Sequence, residues 1–308
     1  MKKRIYFTIV CILFLACSCS NRKSAVTEGN SAYYWRTSFV LSPAEREFIK
    51  EYGISRLYIR YFDVVMQEGD AMPNATLKFK DTLPSSVQPV PTVFIMNECM
   101  QKRDNTLANK IFKRILQISE SNNINNVKEI QIDCDWTKRT EGNFLKFMEQ
   151  LHALTQEKGI MLSTTVRCYQ LNWQVPKADR GVVMMYNTGD FRNIKDEKPI
   201  LNIDSVGGYL KYLKKYDLPL TCAYPVFKWD LLFHKENFRE VLYTEDRSFL
   251  FQSDTVVRRE PSLADILKAK ERLQSIRKDI NKEIVIFDLS DYNIKRFKDE
   301  EYKKIFAH

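Results

Sequence analysis

Between Glu129 and Trp136 the chain reads EIQIDCDW, in which Ile130, Ile132 and Cys134 alternate with Gln131, Asp133 and Asp135. A period of two predicts a strand with one apolar and one polar face. Short strand-like runs recur at AYYWRTSFV (32–40), RLYIRYFDVV (56–65), VPTVFIMNE (90–98), IMLSTTVRC (160–168), RGVVMMYNTG (180–189), LPLTCAYPVF (218–227) and KEIVIFDLS (282–290). Helical patterns fall between most of them. Ser42 and Pro43 open the first and Gly53 stops it. LANKIFKRILQISES (107–121), GNFLKFMEQLHALTQEKG (142–159), SVGGYLKYLKKYD (205–217) and SLADILKAKERLQSIRKDI (262–280) supply the others. Eight strands with helical crossovers predict an α/β fold, a (β/α)8 TIM-like barrel. The barrel is irregular, with inserted loops. No helix separates strands two and three, the link between strands five and six is short, and EVLYTEDRSFLFQSDTVVRRE (240–260) reads as an added hairpin after strand seven.

In such a barrel the binding groups gather at the carboxyl ends of the strands. Strand one ends near Arg36, strand two near Arg60 and Asp63, and strand three at Asn97 and Glu98. Strand four supplies Asp133, Asp135 and Trp136, and strand five Arg167. Tyr186 and Asn187 close strand six, Tyr224 strand seven, and Asp288 strand eight, with Asp291 just beyond. The apolar face of strand four is expected to meet the helices, which points Asp133 and Asp135 into the barrel with their α-carbons roughly 6.5 Å apart. Carboxyls this close separate their pKa values, so one can stay protonated. The alternative is a charge network in which arginines hold both aspartates.

Composition narrows the classes. Of 308 residues, 44% are hydrophobic, enough for a sizeable core, and the 15 Tyr and 4 Trp leave rings for a binding surface. The opening MKKRIYFTIVCILFLACSCS has a basic start, a short apolar run and a cysteine end, the order of an export signal. It resembles a bacterial lipoprotein signal, which implies a lipid on Cys19, with Cys17 as the alternative. The expected organisation is therefore a signal at 1–18, a polar tether at 19–31 and one barrel domain at 32–308. The expected location is the cell envelope, the chain being lipid-anchored to the outer membrane and facing the periplasm. Without Lys2, Lys3 and Arg4 the net charge falls from +9 to +6, and the remaining signs alternate, so nucleic acid is not an expected partner. Cys99, Cys134, Cys168 and Cys222 lack zinc-type spacing and are expected as separate buried thiols. Only His152, His234 and His308 are available, so neither a metal nor another cofactor is expected.

The stretches YYWRTSFVLSPAE, LYIRYFDV and IQIDCDWT resemble a group of bacterial envelope proteins with glycosidase-like barrels, over about residues 32–290. More distantly, QIDCDWT and MMYN resemble strands four and six of family 18 chitinases. That likeness puts the family's two inner aspartates on Asp133 and Asp135, and its Met-x-Tyr pair on Met184 and Tyr186. Its catalytic glutamate falls on Thr137, its first aspartate on Ile130, and its strand-six aspartate on Asn187. The resemblance implies a glycan or other small polar ligand. Two functions follow as expectations. In a glycoside hydrolase, Asp135 would be the acid and Asp133, Glu98 or Asp288 the base or nucleophile. Arg36, Arg60, Asp63, Asn97, Arg167 and Asn187 would contact the ligand, with Trp35, Trp136, Tyr186, Tyr224 and Trp229 as sugar-facing rings. In a non-catalytic carbohydrate-binding or assembly lipoprotein, the same cleft would bind without turnover.

Overall fold

The computed structural model describes residues 28–243 and 246–308. The expected export signal, Cys17, Cys19 and the expected tether as far as residue 27 lie outside the described residues. The eight barrel strands, numbered along the chain, are β1 Gly29–Tyr34, β2 Ile54–Gln67, β3 Gln88–Ile95, β4 Glu129–Cys134, β5 Met161–Arg167, β6 Arg180–Met184, β7 Leu220–Pro225 and β8 Glu283–Phe287. Each pairs in parallel with its neighbour in chain order, and β1 pairs with both β8 and β2, which closes the barrel. β1 starts three residues before the expected domain boundary at 32. Ser31 is already buried there and donates to Glu283 at 2.5 Å.

The principal helices are α1 Pro43–Glu51, α2 Leu107–Ser121, α3 Glu141–Glu157, α4 Leu263–Ile276 and α5 Asp299–Phe306. Ser42 begins α1 with a capping box to Glu45 and Ser262 begins α4 with one to Asp265, each arrangement satisfying two otherwise orphaned backbone donors. Lys270 of α4 donates to the carbonyls of Ile305 and Ala307 at 2.5 and 2.7 Å, fastening the end of α5. The helix expected at 205–217 is reduced to the turn Gly207–Leu210 and a 3₁₀ turn at Leu213–Lys215. Adjacent Gly207 and Gly208 explain this, since each costs about 1 kcal/mol against alanine in a helix interior.

Asp70–Asn74 folds back antiparallel on β2 as a hairpin, and Lys78–Phe79 pairs with Ser38–Phe39. After β7, Trp229–His234 forms the centre of a three-stranded antiparallel sheet, flanked by Asn237–Leu242 and Asp254–Arg259. Cys99, Cys134, Cys168 and Cys222 are buried free thiols.

Strand alternation sorts two cores. Ile130, Ile132 and Cys134 belong to the large outer core under the helices, while Tyr33, Tyr58, Val182, Ala223 and Val285 pack inside the barrel. At the amino-terminal pole the interior is ionic. Glu283 meets Arg180, and Arg56 at 2.7 Å, while Glu129 lies 3.7 Å from Arg56 and 3.8 Å from Arg180. Burial would raise the Glu283 carboxyl, but Arg180 and Arg56 hold it below the ordinary carboxylate range. Above this layer, Tyr33 stacks on Tyr58 and donates to Gln131 at 2.7 Å.

Candidate functional site

The carboxyl ends of the strands surround a cleft of about 830 Å³. Its inner wall is aromatic. Phe287 lies 5.6 Å from Trp35, 4.7 Å from Tyr186 and 5.9 Å from Phe227, ring centre to ring centre, and Phe227 lies 5.2 Å from Trp229. β8 places Phe287 there because Glu283, Val285 and Phe287 share the inward face. Trp229 arrives on the inserted sheet, whose Leu242 and Tyr243 form part of the rim.

Asp133 and Asp135 both face this cleft, as the alternation of β4 requires. Arg167, at the end of β5, ties them together. Its Nε donates to Asp135, and its Nη2 lies 3.7 Å from Asp133. Thr165 donates to Asp133 at 2.7 Å. Burial pushes the Asp133 carboxyl up to about 6, against the opposing pull of Arg167. Asp135 is half exposed at the mouth. The Arg167 guanidinium occupies Oδ1 of Asp135.

Asp288 is a partly buried carboxyl of the cleft. Burial pushes it up to about 6, with Arg36 and a hydrogen bond from Asn293 acting in the opposite direction. Nη2 of Arg36 itself donates to both carboxylate oxygens of Glu45, each at 2.9 Å. Arg60 is paired with Asp63 and stands 5.4 Å above the Trp35 ring, so Asp63 acts behind Arg60 rather than on the cleft wall. A smaller pocket of about 280 Å³ shares Asp135, Arg167, Tyr186 and Asn187 with the cleft and continues to Tyr169 and Tyr209.

Besides Asp63, four expected site residues are placed elsewhere. Trp136 is buried and stacks on Phe144 at 5.2 Å, because the chain turns into the helix layer once β4 has ended. Tyr224 is buried on the outward face of β7 and donates to Asn281 at 2.6 Å. Asn97 accepts from Thr140 at 2.6 Å and so braces the start of α3. Glu98 is exposed on the 3₁₀ turn Asn97–Met100, outside the cleft lining. Thr137 is likewise outside that lining and opens the turn into α3, its N–H donating to Thr140 at 3.0 Å. Sequence reasoning missed Phe227, Phe287 and Asn293. The inward parity of β8 was the available signal for Phe287.

Among the described residues, no group of three or more His, Cys, Asp or Glu side chains is placed to hold a metal ion. Ser253, His234 and Asp254 meet on the inserted sheet, but the serine and the aspartate both approach Nδ1, at 3.2 and 2.8 Å. A relay through the imidazole would need one partner on each ring nitrogen.

No protein-family profile and no curated protein matches the chain. Solved structures do match in shape. The spore cortex-lytic enzyme SleL of Bacillus cereus superposes with a TM-score of 0.57 at 15% identity, over 91% of this chain and 74% of that one. A chitinase from Chromobacterium violaceum gives 0.61 at 12% identity, over 92% and 100%. The Group IV chitinase of Ostrinia furnacalis gives 0.51 at 10% identity, over 91% and 100%. At these identities the likeness establishes the fold. The chain is a (β/α)8 barrel of the shape these structures share, with an aromatic, carboxylate-bearing cleft at its strand ends.

Proposed function

We propose that this protein binds a glycan in the strand-end cleft without chitinase-type cleavage, as a lipid-anchored component of a bacterial cell envelope. One observation carries the binding reading: the aromatic cleft is open, yet Arg167 engages both strand-four aspartates and Thr137 stands where the resembling family has its acid. Rings such as Trp35 and Trp229 suit the apolar faces of sugars, and the paired charges suit their hydroxyls. The envelope reading is supported by the basic, apolar and cysteine order of residues 1–19. Hydrolysis is the second reading, favoured by Asp133 and Asp288, two carboxyls raised to about 6 in one cleft.

Residues 28–308 should be screened by calorimetry against neutral and acidic oligosaccharides, with chromatography of the same mixtures for product. The expected outcome is binding without shorter saccharides. Trp35→Ala should weaken binding by about tenfold with the fold intact, whereas Trp136→Ala should destabilise by about 3–5 kcal/mol. Release of shorter saccharides, abolished by Asp133→Asn or Asp288→Asn, would overturn the non-catalytic reading and establish the second. If no saccharide binds, both readings fall.

A further inference from the structure

Beside the cleft runs a groove of about 610 Å³, formed where the inserted sheet meets the segment after β8. Lys228 and Tyr292 line both spaces, so the groove opens into the cleft. Its cations are Lys228, Arg258, Lys295 and Arg296, against the acids Glu260 and Asp291.

The roles of these charges differ. Arg296 is structural, donating to the carbonyls of Phe227 at 2.8 Å and Pro261 at 3.0 Å, with Glu260 at 3.4 Å. Asp291 accepts from Ser42 at 2.6 Å, which directs one of its oxygens toward α1. Arg258 gives Nε and Nη2 to Asp230 at 2.8 and 3.0 Å and retains the N–H groups of Nη1. Lys228 and Lys295 have no ion-pair partner within 4.0 Å among the described residues, and Lys228 is held 4.4 Å over the Tyr292 ring. Two ammonium groups and half a guanidinium thus face one groove that joins a saccharide-sized cleft.

We propose that this groove receives the anionic group, a carboxylate or a sulfate ester, of an acidic glycan whose sugar rings lie in the cleft. The inference rests on the glycan-binding reading and adds the chemical class of the ligand. Neutral sugars offer the two lysines only neutral hydroxyl acceptors, whereas an anion gains charge-assisted hydrogen bonds and long-range attraction that salt screens.

The test uses tetragalacturonate, its carboxyl-reduced neutral form, sulfated and unsulfated chondroitin tetrasaccharides, and chitotetraose. Affinities are measured by calorimetry at 50 and 300 mM NaCl for the wild type and for the Lys228→Met/Lys295→Met double variant. The expected result is at least one acidic member binding about tenfold tighter than its less charged counterpart. That gain should shrink at high salt and disappear in the double variant, whose melting temperature should stay unchanged. A gain from carboxylate alone indicates recognition of carboxylate geometry, and an equal gain from sulfate indicates recognition of charge; either supports the proposal. Binding that is equal for neutral and acidic members, or unaltered in the double variant, overturns the proposal and leaves glycan binding standing. Binding of none of the five overturns both.

Discussion

Asp288 shows how burial sets the behaviour of a single carboxyl in this cleft. Its folded-state value of about 6 exceeds the ordinary 3.8. Below about pH 4 both the folded and unfolded chains carry the proton, and no penalty applies. As pH rises, the unfolded chain releases the proton first, so stability falls until the folded carboxyl has also ionised, just above pH 6. With about 1.4 kcal/mol for each pKa unit, the loss approaches about 3 kcal/mol at neutral pH. Asp288→Asn removes the titration. Melting temperatures at pH 4.5, 5.5 and 7.0 should therefore fall for the wild type relative to the variant as pH increases. A constant difference across the three pH values would refute the assignment.

At the scale of elements, β6 shows how tightly the barrel wall is drawn. A β-carbon added at Gly181 would stand 2.8 Å from Leu220 of β7 and 3.1 Å from Val166 of β5. Gly181→Ala should destabilise the protein by about 1–3 kcal/mol in chemical denaturation, since both neighbours are packed side chains with little room to retreat. An unchanged midpoint would show that the wall can relax. The same strands explain what the sequence made legible. Strict alternation in β4 located Asp133 and Asp135, because a strand's side chains leave its opposite faces in turn. Parity in LTCAYP likewise groups Tyr224 with Leu220 and Cys222, all three in the outer core, and Ala223 with the interior. Trp136, Asn97 and Glu98 lie just beyond strand ends, where alternation stops and the turn decides direction. The pairing of Arg167 with both aspartates joins β4 to β5 across the barrel mouth, and no local pattern encodes such a contact. The short helical turns at 207–215 were legible in principle, through the Gly207-Gly208 pair.

On the scale of the whole molecule, the barrel has two unlike poles. One is sealed by Arg56, Glu129, Arg180 and Glu283, and the other opens into the aromatic cleft. The lipid-anchor proposal concerns the sealed pole. Metabolic labelling with a tritiated fatty acid should mark the full chain and leave Cys19→Ala unlabelled, with the variant moving from the membrane to the soluble fraction. Labelling that persists in Cys19→Ala and is lost in Cys17→Ala would shift the acceptor to Cys17, and labelling of neither protein would remove the anchor.

β1 begins at Gly29 beside Glu283, at the sealed pole, and its far end delivers Trp35 to the cleft. Whatever holds the chain ahead of Glu28 therefore pulls on the floor of the barrel. From Cys19 to Gly29 the backbone reaches at most about 35 Å, roughly ten residues at 3.3–3.6 Å each. With the proposed lipid on Cys19, a barrel on so short a leash is a cup fixed by its base. Under that proposal its mouth sweeps the space away from the membrane, and long polymers can thread across the opening without meeting the bilayer.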